Sequence, residues 1–284
     1  MDKYWQIAKD SFWGYKDYFV HELMYPSWHN YFYWLLGLSL LVWFLEYLFP
    51  WRTKQSIVRK DFWLDGFYMF FNFFLFSLIG YSAISNVAVA MFNDFLGLFG
   101  IKNLVAIQLG SLPILIQFII MFLIADFIQW NTHRLLHAVP KLWEYHKLHH
   151  SVEQMGFAAH MRYHWMETIV YKSIQYIPLA MLGFGISDFF ILHIIAVAIG
   201  HLNHSNINIT YGPFKYILNN PNMHIWHHAK ELPFKNGINF GISLSLWDYL
   251  FKTAYIPKSG RDIELGFEGV EKFPKDFIGQ ETII

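Results

Sequence analysis

Histidine is the residue type whose number and spacing point to chemistry in this chain. The 284-residue sequence contains fifteen histidines, and thirteen of them lie between His133 and His228. On a helix, side chains three and four residues apart share one face, so two imidazoles can reach one metal ion. The pattern therefore predicts a histidine-ligated metal site. Five groups have suitable spacing: HRLLH at 133–137, HKLHH at 146–150, HMRYH at 160–164, His201 with His204, and HIWHH at 224–228.

The number of these histidines indicates which kind of metal site to expect. Neutral imidazole suits zinc, copper, iron and nickel. Eight or more candidate ligands exceed what one ion can use, so the pattern indicates two ions, or one ion with a large outer shell. The chain has no cysteine, which excludes thiolate ligands, a cysteine nucleophile and disulfides. The zinc protease motif HExxH is also absent, and histidines bunched at helix ends disfavour a bis-histidine haem protein.

Long uncharged segments must position these histidines. Hydrophobic residues make up 55% of the chain and charged residues only 15%, against about 25% charged in soluble domains. The formal net charge is zero, which argues against nucleic acid as a partner. A helix needs about 20 apolar residues to cross the hydrocarbon core. We therefore predict three full transmembrane spans, near residues 30–49, 67–92 and 105–130.

The apolar region after Lys172 is different, because residues 173–187 and 189–200 are each short for a full span. We expect a helical hairpin that enters the membrane and returns, with Ser187 or Asp188 capping its second arm. One broken span is the alternative. Basic residues are concentrated in the 50–66 loop and after the third span, which assigns those segments to the cytoplasm. A hairpin at 173–200 then places all the histidine groups on that cytoplasmic face.

The two termini carry weaker signals. Residues 1–29 contain an apolar stripe at helical spacing, which is typical of an amphipathic helix. This helix either lies on the bilayer surface or packs on the rest of the protein. Residues 258–284 are mixed in charge and are expected to form a soluble tail without chemistry.

The histidine boxes, with the residues between them, resemble the fatty acid hydroxylase/sterol desaturase superfamily of integral-membrane di-iron enzymes. The resemblance covers roughly residues 125–255 and rests on HRLLH, HKLHH and HIWHH in this order. The intervening residues that agree are Asp126, Pro140, Trp143, Ser151, Arg162, Tyr163, His164, Glu167, the run His204–Asn206, Gly212, Pro213, Asn220, Pro221, the run Asn239–Gly241 and the run Leu246–Asp248.

This resemblance implies an all-α polytopic membrane bundle, three spans plus a hairpin, capped by a cytosolic histidine-rich di-metal site. The implied organisation is an N-terminal segment (1–29), transmembrane helices (30–124), a catalytic domain (125–257) and a tail (258–284). The implied reaction is O2-dependent oxidation of a lipid C–H bond by two iron ions. Electrons would come from a separate electron-transfer protein or reductant. The implied ligands are His133, His137, His146, His149, His150, His204, His224, His227 and His228.

Other residues are expected in supporting roles. Asp126 lies on one helical face with His133 and His137, so it is a candidate acceptor for a ligand N–H. Glu144, Glu153, Glu167 and Asp248 are further candidate acceptors. His160, His164 and His201 are left open as additional ligands, outer-shell residues or substrate contacts.

Several functions remain open at this point. Hydroxylation and desaturation begin with the same hydrogen abstraction, and spacing does not separate them. Ether-lipid (alkylglycerol) monooxygenases are a branch of the same superfamily. A membrane metal transporter would place its ligands within the spans, and a zinc hydrolase would need few histidines and an open coordination position. A catalytically inactive member of the family is a further alternative, which the intact boxes disfavour.

Overall fold

The computed structural model describes residues 2–102, 105–184, 189–234 and 236–283. In these residues the chain is all-helical, with three isolated β-bridges and no strand. This confirms the predicted fold class. The α-helices are α1 (Asp2–Met24), α2 (Tyr31–Leu48), α3 (Phe62–Phe70), α4 (Ser82–Gly97), α5 (Ile114–Ala138), α6 (Pro140–His150), α7 (Trp165–Met181), α8 (Phe189–His204), α9 (Pro221–His227), α10 (Leu246–Leu250) and α11 (Phe277–Glu281).

Three described helical segments are long and apolar enough to cross a membrane, as the sequence predicts. They are Tyr31–Leu48, Phe62–Gly97 and Ile114–Ala138. The second is longer than expected, because π-helical turns join α3 to α4. The third begins nine residues later than expected, since Pro113 lies at its N-cap and residues 105–113 form no helix. Proline lacks an N–H and disfavours the helical conformation in the residue before it. The helix that begins at Ile114 therefore does not extend back through Pro113.

The N-terminal helix α1 packs lengthwise against the second of these segments. At one end, Lys3 Nζ lies 2.6 Å from both carboxylate oxygens of Asp94. Towards the other end, the ring of Phe19 lies 5.4 Å from that of Phe74. The chain then turns into α2, where the Asn30 side chain accepts from the Tyr33 N–H at 3.2 Å and caps the first span. α1 is therefore antiparallel to the second segment along its length.

The hairpin is formed by α7 and α8, which are about 26 and 24 Å long at 1.5 Å per residue. Leu179 of α7 and Leu192 of α8 share one apolar cluster with Met121 and Ala125 of α5. α7 begins and α8 ends beside the histidines, so the chain returns to the side from which it enters. The predicted caps, Ser187 and Asp188, lie outside the described residues.

A buried ion-pair cluster joins the start of the second segment to the loop after α6. The Asp65 carboxylate accepts from Arg59 Nη2 and, at 3.1 Å, from Arg162 Nη1. Arg162 also reaches Asp61 at 3.2 Å. Asp65 is fully buried and both arginines are at most 5% exposed. A shared carboxylate between two buried guanidinium groups fixes this loop against α3.

The C-terminal segment folds back onto the bundle. The Gln280 side chain is fully buried and accepts from the Tyr68 hydroxyl at 3.0 Å. The ring of Phe277 packs edge-on against Phe67 at 4.8 Å. The carbonyl of Glu281 accepts from His164 Nε2 at 3.0 Å. The segment predicted as a tail therefore makes buried contacts with α3 and with the start of α7.

Candidate metal centre

Four helices bring nine histidines together at one end of the bundle. α5 contributes HRLLH from its last two turns, and α6 carries HKLHH after Pro140 at its first position. α8 contributes His204 at its end. α9 is capped by Asn220, whose side chain accepts from the Met223 N–H at 3.0 Å, and it carries HIWHH. Proline at the first helical position and asparagine at the N-cap fix where these short helices start, and hence where their histidines point.

The nine imidazoles form two groups, each with one ring nitrogen per histidine within 4.8 Å of the others in its group. Metal–imidazole bonds of about 2.0–2.1 Å require ligand nitrogens about 3–4 Å apart. The two groups together contain all nine histidines predicted as ligands and no other described residue. The first group is His133, His137, His146, His150 and His227, and the second is His149, His204, His224 and His228.

The two HxxHH helices each serve both groups. α6 sends His146 and His150 to the first group and His149 to the second. α9 and the residue after it send His227 to the first group and His224 and His228 to the second. In both boxes the i and i+4 histidines therefore share one group, and the i+3 histidine belongs to the other. The pair belongs to the first group in α6 and to the second group in the α9 box.

Five of the nine rings are fixed by hydrogen bonds from Nδ1, four of them to backbone carbonyls. A neutral imidazole that donates from Nδ1 must present an unprotonated Nε2, which is the nitrogen that can bind a metal. The acceptors therefore fix both the orientation and the tautomer of these rings. The pairs are His133 with Phe240 O (2.7 Å), His227 with Ile238 O (2.6 Å), His149 with Arg162 O (3.1 Å), His204 with Gly200 O (2.8 Å) and His146 with Glu167 Oε2 (2.9 Å).

Several buried ring nitrogens of the groups have no hydrogen-bond partner, which provides a test of whether the residues fit a metal. Buried polar atoms are nearly always partnered, so a cluster of orphaned acceptors in one place is unusual. Their position among converging imidazoles fits coordination to a metal ion. The atoms are His137 Nε2, His150 Nε2 and His227 Nε2, all in the first group. In the second group the Nε2 atoms face one another: His204 Nε2 lies 3.2 Å from His149 Nε2 and 3.0 Å from His224 Nε2, and His228 Nε2 lies 3.1 Å from His224 Nε2.

The environment keeps the imidazoles neutral. Burial lowers the pKa of His149 to about 3 and holds the pKa values of His150, His227 and His228 well below the usual range. Eight of the nine rings are buried, and His137 is only partly so. Neutral imidazole is the form that binds metal, so these groups are ready to act as ligands at neutral pH.

Asp248 holds the loop that supplies two of the backbone acceptors. This fully buried carboxylate accepts from the N–H groups of Phe240 (2.9 Å) and Gly241 (2.7 Å). It also accepts from Trp130 Nε1 at 3.0 Å and from the Thr253 hydroxyl at 2.6 Å. Asp248 thereby positions the Phe240 carbonyl beneath His133 without touching a histidine.

Asp126 does not occupy the predicted place beside His133. Its carboxylate accepts from the Ser243 N–H at 3.2 Å and from Trp247 Nε1 at 2.8 Å. The reason is distance along the helix, because seven residues separate Asp126 from His133 by about 10 Å. The carboxylate that does accept from a clustered histidine is Glu167, which also matches the sequence pattern.

The three histidines left open by the sequence lie outside both groups. His164 caps α7 by accepting from the Met166 N–H at 3.2 Å. His201 Nε2 lies 3.1 Å from the Ser39 hydroxyl, and His201 Nδ1 lies 3.2 Å from His160 Nδ1. The ring of His160 fills the space beside Gly200, where an added Cβ would come within 2.2 Å of it. His160 and His201 therefore pack against or lie on α8, which carries His204, while His164 begins α7, which carries Glu167.

The arrangement has a limited chemical range. All the converging donors are imidazole nitrogens, which suit iron, zinc, copper or nickel. The two groups are adjacent, with the ring of His150 in the first 4.4 Å from that of His228 in the second, so they suit a pair of ions. Backbone carbonyls in the supporting shell carry no residue-type signal, so the sequence could not reveal them. The sequence also does not indicate that the ring of Phe240 lies 5.3 Å from the ring of His137.

Comparisons with known proteins match the part of the chain that contains the two histidine groups. Residues 118–253 match the family model for fatty acid hydroxylase. The chain is 33% identical to ornithine lipid hydroxylase OlsE of Rhizobium tropici over 168 residues, which cover 59% of this chain and 50% of that protein. It is 29% identical to an alkylglycerol monooxygenase of Xenopus tropicalis (48% of this chain, 30% of that protein). It is 30% identical to the Homo sapiens alkylglycerol monooxygenase (46% and 29%).

The matched part spans half or less of each of these relatives. No solved structure matches the chain. The family match ends at residue 253 and begins within α5, so it contains every histidine of the two groups.

Proposed function

This chain belongs to the fatty acid hydroxylase superfamily, and on that basis we propose that it oxidises a C–H bond of a membrane lipid. The proposed reaction is an O2-dependent hydroxylation or desaturation at a non-haem di-iron centre. The observation that carries the proposal is the convergence of five and four imidazoles into two adjacent buried groups. Two bound irons would supply the oxidant for an unactivated C–H bond, which is chemistry that side chains alone do not provide.

The protein's own part is to hold, orient and shield the metals. The proposed ligands are the nine histidines of the two groups. Nδ1 donation to Phe240, Ile238, Arg162, Gly200 and Glu167 sets their tautomers. Burial of eight of the nine rings excludes bulk water from the reacting region.

The electron source and orientation form part of the same proposal. We expect electrons from a separate protein or reductant, and we expect the histidine end of the bundle to face the cytoplasm. The orientation is supported by the basic residues that follow the first and third spans, since cytoplasmic loops carry an excess of lysine and arginine. Lys141 and Lys147 lie at that end, on α6.

Oxidation of an ether lipid is the second candidate. It is favoured by one observation, the similarity of this chain to alkylglycerol monooxygenases from four animals. Similarity to the ornithine lipid hydroxylase covers a larger part of the chain and favours lipid hydroxylation. Product analysis distinguishes the two, because ether oxidation would release an aldehyde and the free glycerol lipid.

The test is metal content per chain of the purified protein, together with O2 uptake on addition of total lipid extract and a reductant. We expect about two irons per chain and uptake that depends on lipid. His149→Ala and His227→Ala remove one ligand from each group and should lower both quantities. His29→Ala, an exposed histidine in the loop before α2, is the control. Full metal content and activity in both variants, or one zinc without O2 uptake, would overturn the proposal.

A further inference from the structure

A surface cavity lies directly beside the five-histidine group. Its volume is about 390 Å³, and its lining includes Arg134, Ala138, Gly237, Phe240 and Lys252. Two of these residues form the wall towards the histidines. A Cβ added to Gly237 would lie 3.0 Å from His137 Nδ1, and the Phe240 ring lies 5.3 Å from the His137 ring. One residue's thickness therefore separates the cavity from His137, the least buried histidine of the group.

The cavity carries two positive charges. The side chains of Arg134 and Lys252 are exposed, and neither forms an ion pair with any acidic group in the described parts of the chain. The Arg134 guanidinium is held 4.5 Å from the ring centre of buried Trp130. Lys252 has a φ of +61°, a left-handed conformation that favours glycine or asparagine. A lysine nevertheless occupies this position and lines the cavity.

Exposed apolar side chains are next to both cations along the chain. Leu135 follows Arg134 in the last turns of the third span and is 40% exposed. Leu250 and Phe251 precede Lys252 and are 63% and 47% exposed. Cations next to exposed apolar groups at the end of a membrane-spanning helix are typical of the interface, where headgroups lie. The cavity is therefore placed where a lipid could keep its chains in the bilayer and its headgroup among the cations.

We propose that this cavity binds the anionic headgroup, a phosphate or carboxylate, of the lipid that the enzyme oxidises. Arg134 and Lys252 neutralise the headgroup, and Asn131 and Asn236 line the same space and offer neutral hydrogen bonds. The proposal rests on the proposed lipid oxidation. An acidic electron donor would also be attracted by two cations. The exposed leucines and phenylalanine beside them favour a lipid, because acyl chains in the bilayer would cover them.

The first experiment measures binding without turnover. The full chain in neutral detergent is titrated with dioleoyl phosphatidic acid and with dioleoyl phosphatidylcholine, and binding is followed by native mass spectrometry. We expect the wild type to bind phosphatidic acid about tenfold more tightly, and the double variant Arg134→Gln/Lys252→Gln to lose that preference. Ala138→Phe narrows the cavity at an exposed position without changing charge and should weaken binding of phosphatidic acid. Lys141→Gln, an exposed cation outside the cavity, should bind as the wild type does.

Inorganic phosphate is the competing probe. If it displaces phosphatidic acid from the wild type, the cavity is a site for free anions and the lipid assignment is wrong. Unchanged lipid preference in the double variant would also overturn the proposal. The proposal would also be overturned if the variants changed only the concentration of reductant needed for half-maximal O2 uptake. That result would mark the cavity as a surface that binds the electron donor.

A second measurement separates this inference from the proposed function. Lipid oxidation is followed at varied phosphatidic acid for the wild type, the double variant and Lys141→Gln. A higher KM with little change in kcat in the double variant supports headgroup binding. A wild type that oxidises no lipid defeats the proposed function, while the binding titration still decides whether the cavity holds an anionic headgroup.

Discussion

The Nδ1 atom of His146 lies 2.9 Å from Oε2 of Glu167, and both side chains are buried. This contact joins the α6 histidine box to the first turn of α7. It is the one place where a carboxylate, rather than a backbone carbonyl, supports a clustered imidazole in the described part of the chain. A carboxylate acceptor makes the ring a stronger ligand and fixes its tautomer.

Glu167→Gln should therefore weaken metal binding. The amide keeps the size of the side chain but removes the negative charge, and loss of such a partner lowers metal affinity about 10–100-fold. Competition with a chelator, read as metal retained per chain, measures the change. Glu144→Gln is the matched control, since Glu144 pairs with Lys147 on the outer face of the same region. Wild-type affinity in Glu167→Gln would show that the carboxylate plays no part in binding.

Asp248→Asn should destabilise the loop beneath the first histidine group. Asp248 accepts four hydrogen bonds, and an asparagine would turn an NH2 group towards some of the same donors. The expected loss is on the order of 2–4 kcal/mol in the free energy of unfolding. Thermal unfolding in detergent, followed by tryptophan fluorescence, measures it. Asp262→Asn changes an exposed carboxylate and should have no effect; equal melting curves for the two variants would contradict the assignment.

Asp65→Ala should be among the most destabilising changes in the spans. It leaves Arg59 and Arg162 buried with little compensation, and breaking a buried ion pair from one side costs about 3–5 kcal/mol. Asp61→Asn tests the same cluster at its more exposed edge, where the effect should stay below about 1 kcal/mol. Thermal unfolding compares the two. The order of the two effects is the prediction, and a reversed order refutes it.

Docking of the C-terminal segment should depend on pH through Glu281. Burial raises the pKa of this carboxyl to about 7, and its Oε1 atom has no hydrogen-bond partner. The docked form therefore binds a proton more readily than the released form, whose pKa is near 4.5. Docking weakens as pH rises from about 4.5 through 7 and then levels off.

Hydrogen exchange of a peptide that covers residues 277–283 reports this docking. The wild type should exchange faster at pH 8 than at pH 6, after correction for the intrinsic rate. Glu281→Gln can still accept from the Trp165 N–H but cannot ionise, so its protection should be independent of pH. A pH-dependent variant, or a pH-independent wild type, would rule out Glu281 as the titrating group.

Helical periodicity explains why so much of the centre was predictable. In HKLHH and HIWHH the spacing alone places three imidazoles on one turn, and all nine proposed ligands lie in the two groups. Spacing does not state how a helix is rotated about its axis, so it could not assign His149 and His150 to different groups. It also could not identify the Phe240 and Ile238 carbonyls, because every residue has one.

The membrane spans, like the metal centre, could be predicted from local sequence, but their tertiary packing could not. Run length predicted three crossing helices, because a helix that crosses the hydrocarbon core needs about 20 mostly apolar residues in a row, which the sequence shows directly. It misplaced the start of the third span, since uncharged residues 105–113 are apolar but contain Gly110 and Pro113, which interrupt a helix. The packing of α1 against α4 depends on pairs such as Lys3 with Asp94, which are far apart in sequence.

If the two histidine groups bind metal as proposed, the division of each HxxHH box between them affects how metal is acquired. α6 and α9 must both be correctly placed before either group is complete, so filling one group fixes most of the ligands of the other. Occupancy of the two sites is then linked by a shared coupling free energy, which acts equally in both directions. Limiting metal should yield a mixture of empty and doubly loaded chains, with singly loaded chains scarce. Loading should be cooperative although the two ions need not touch.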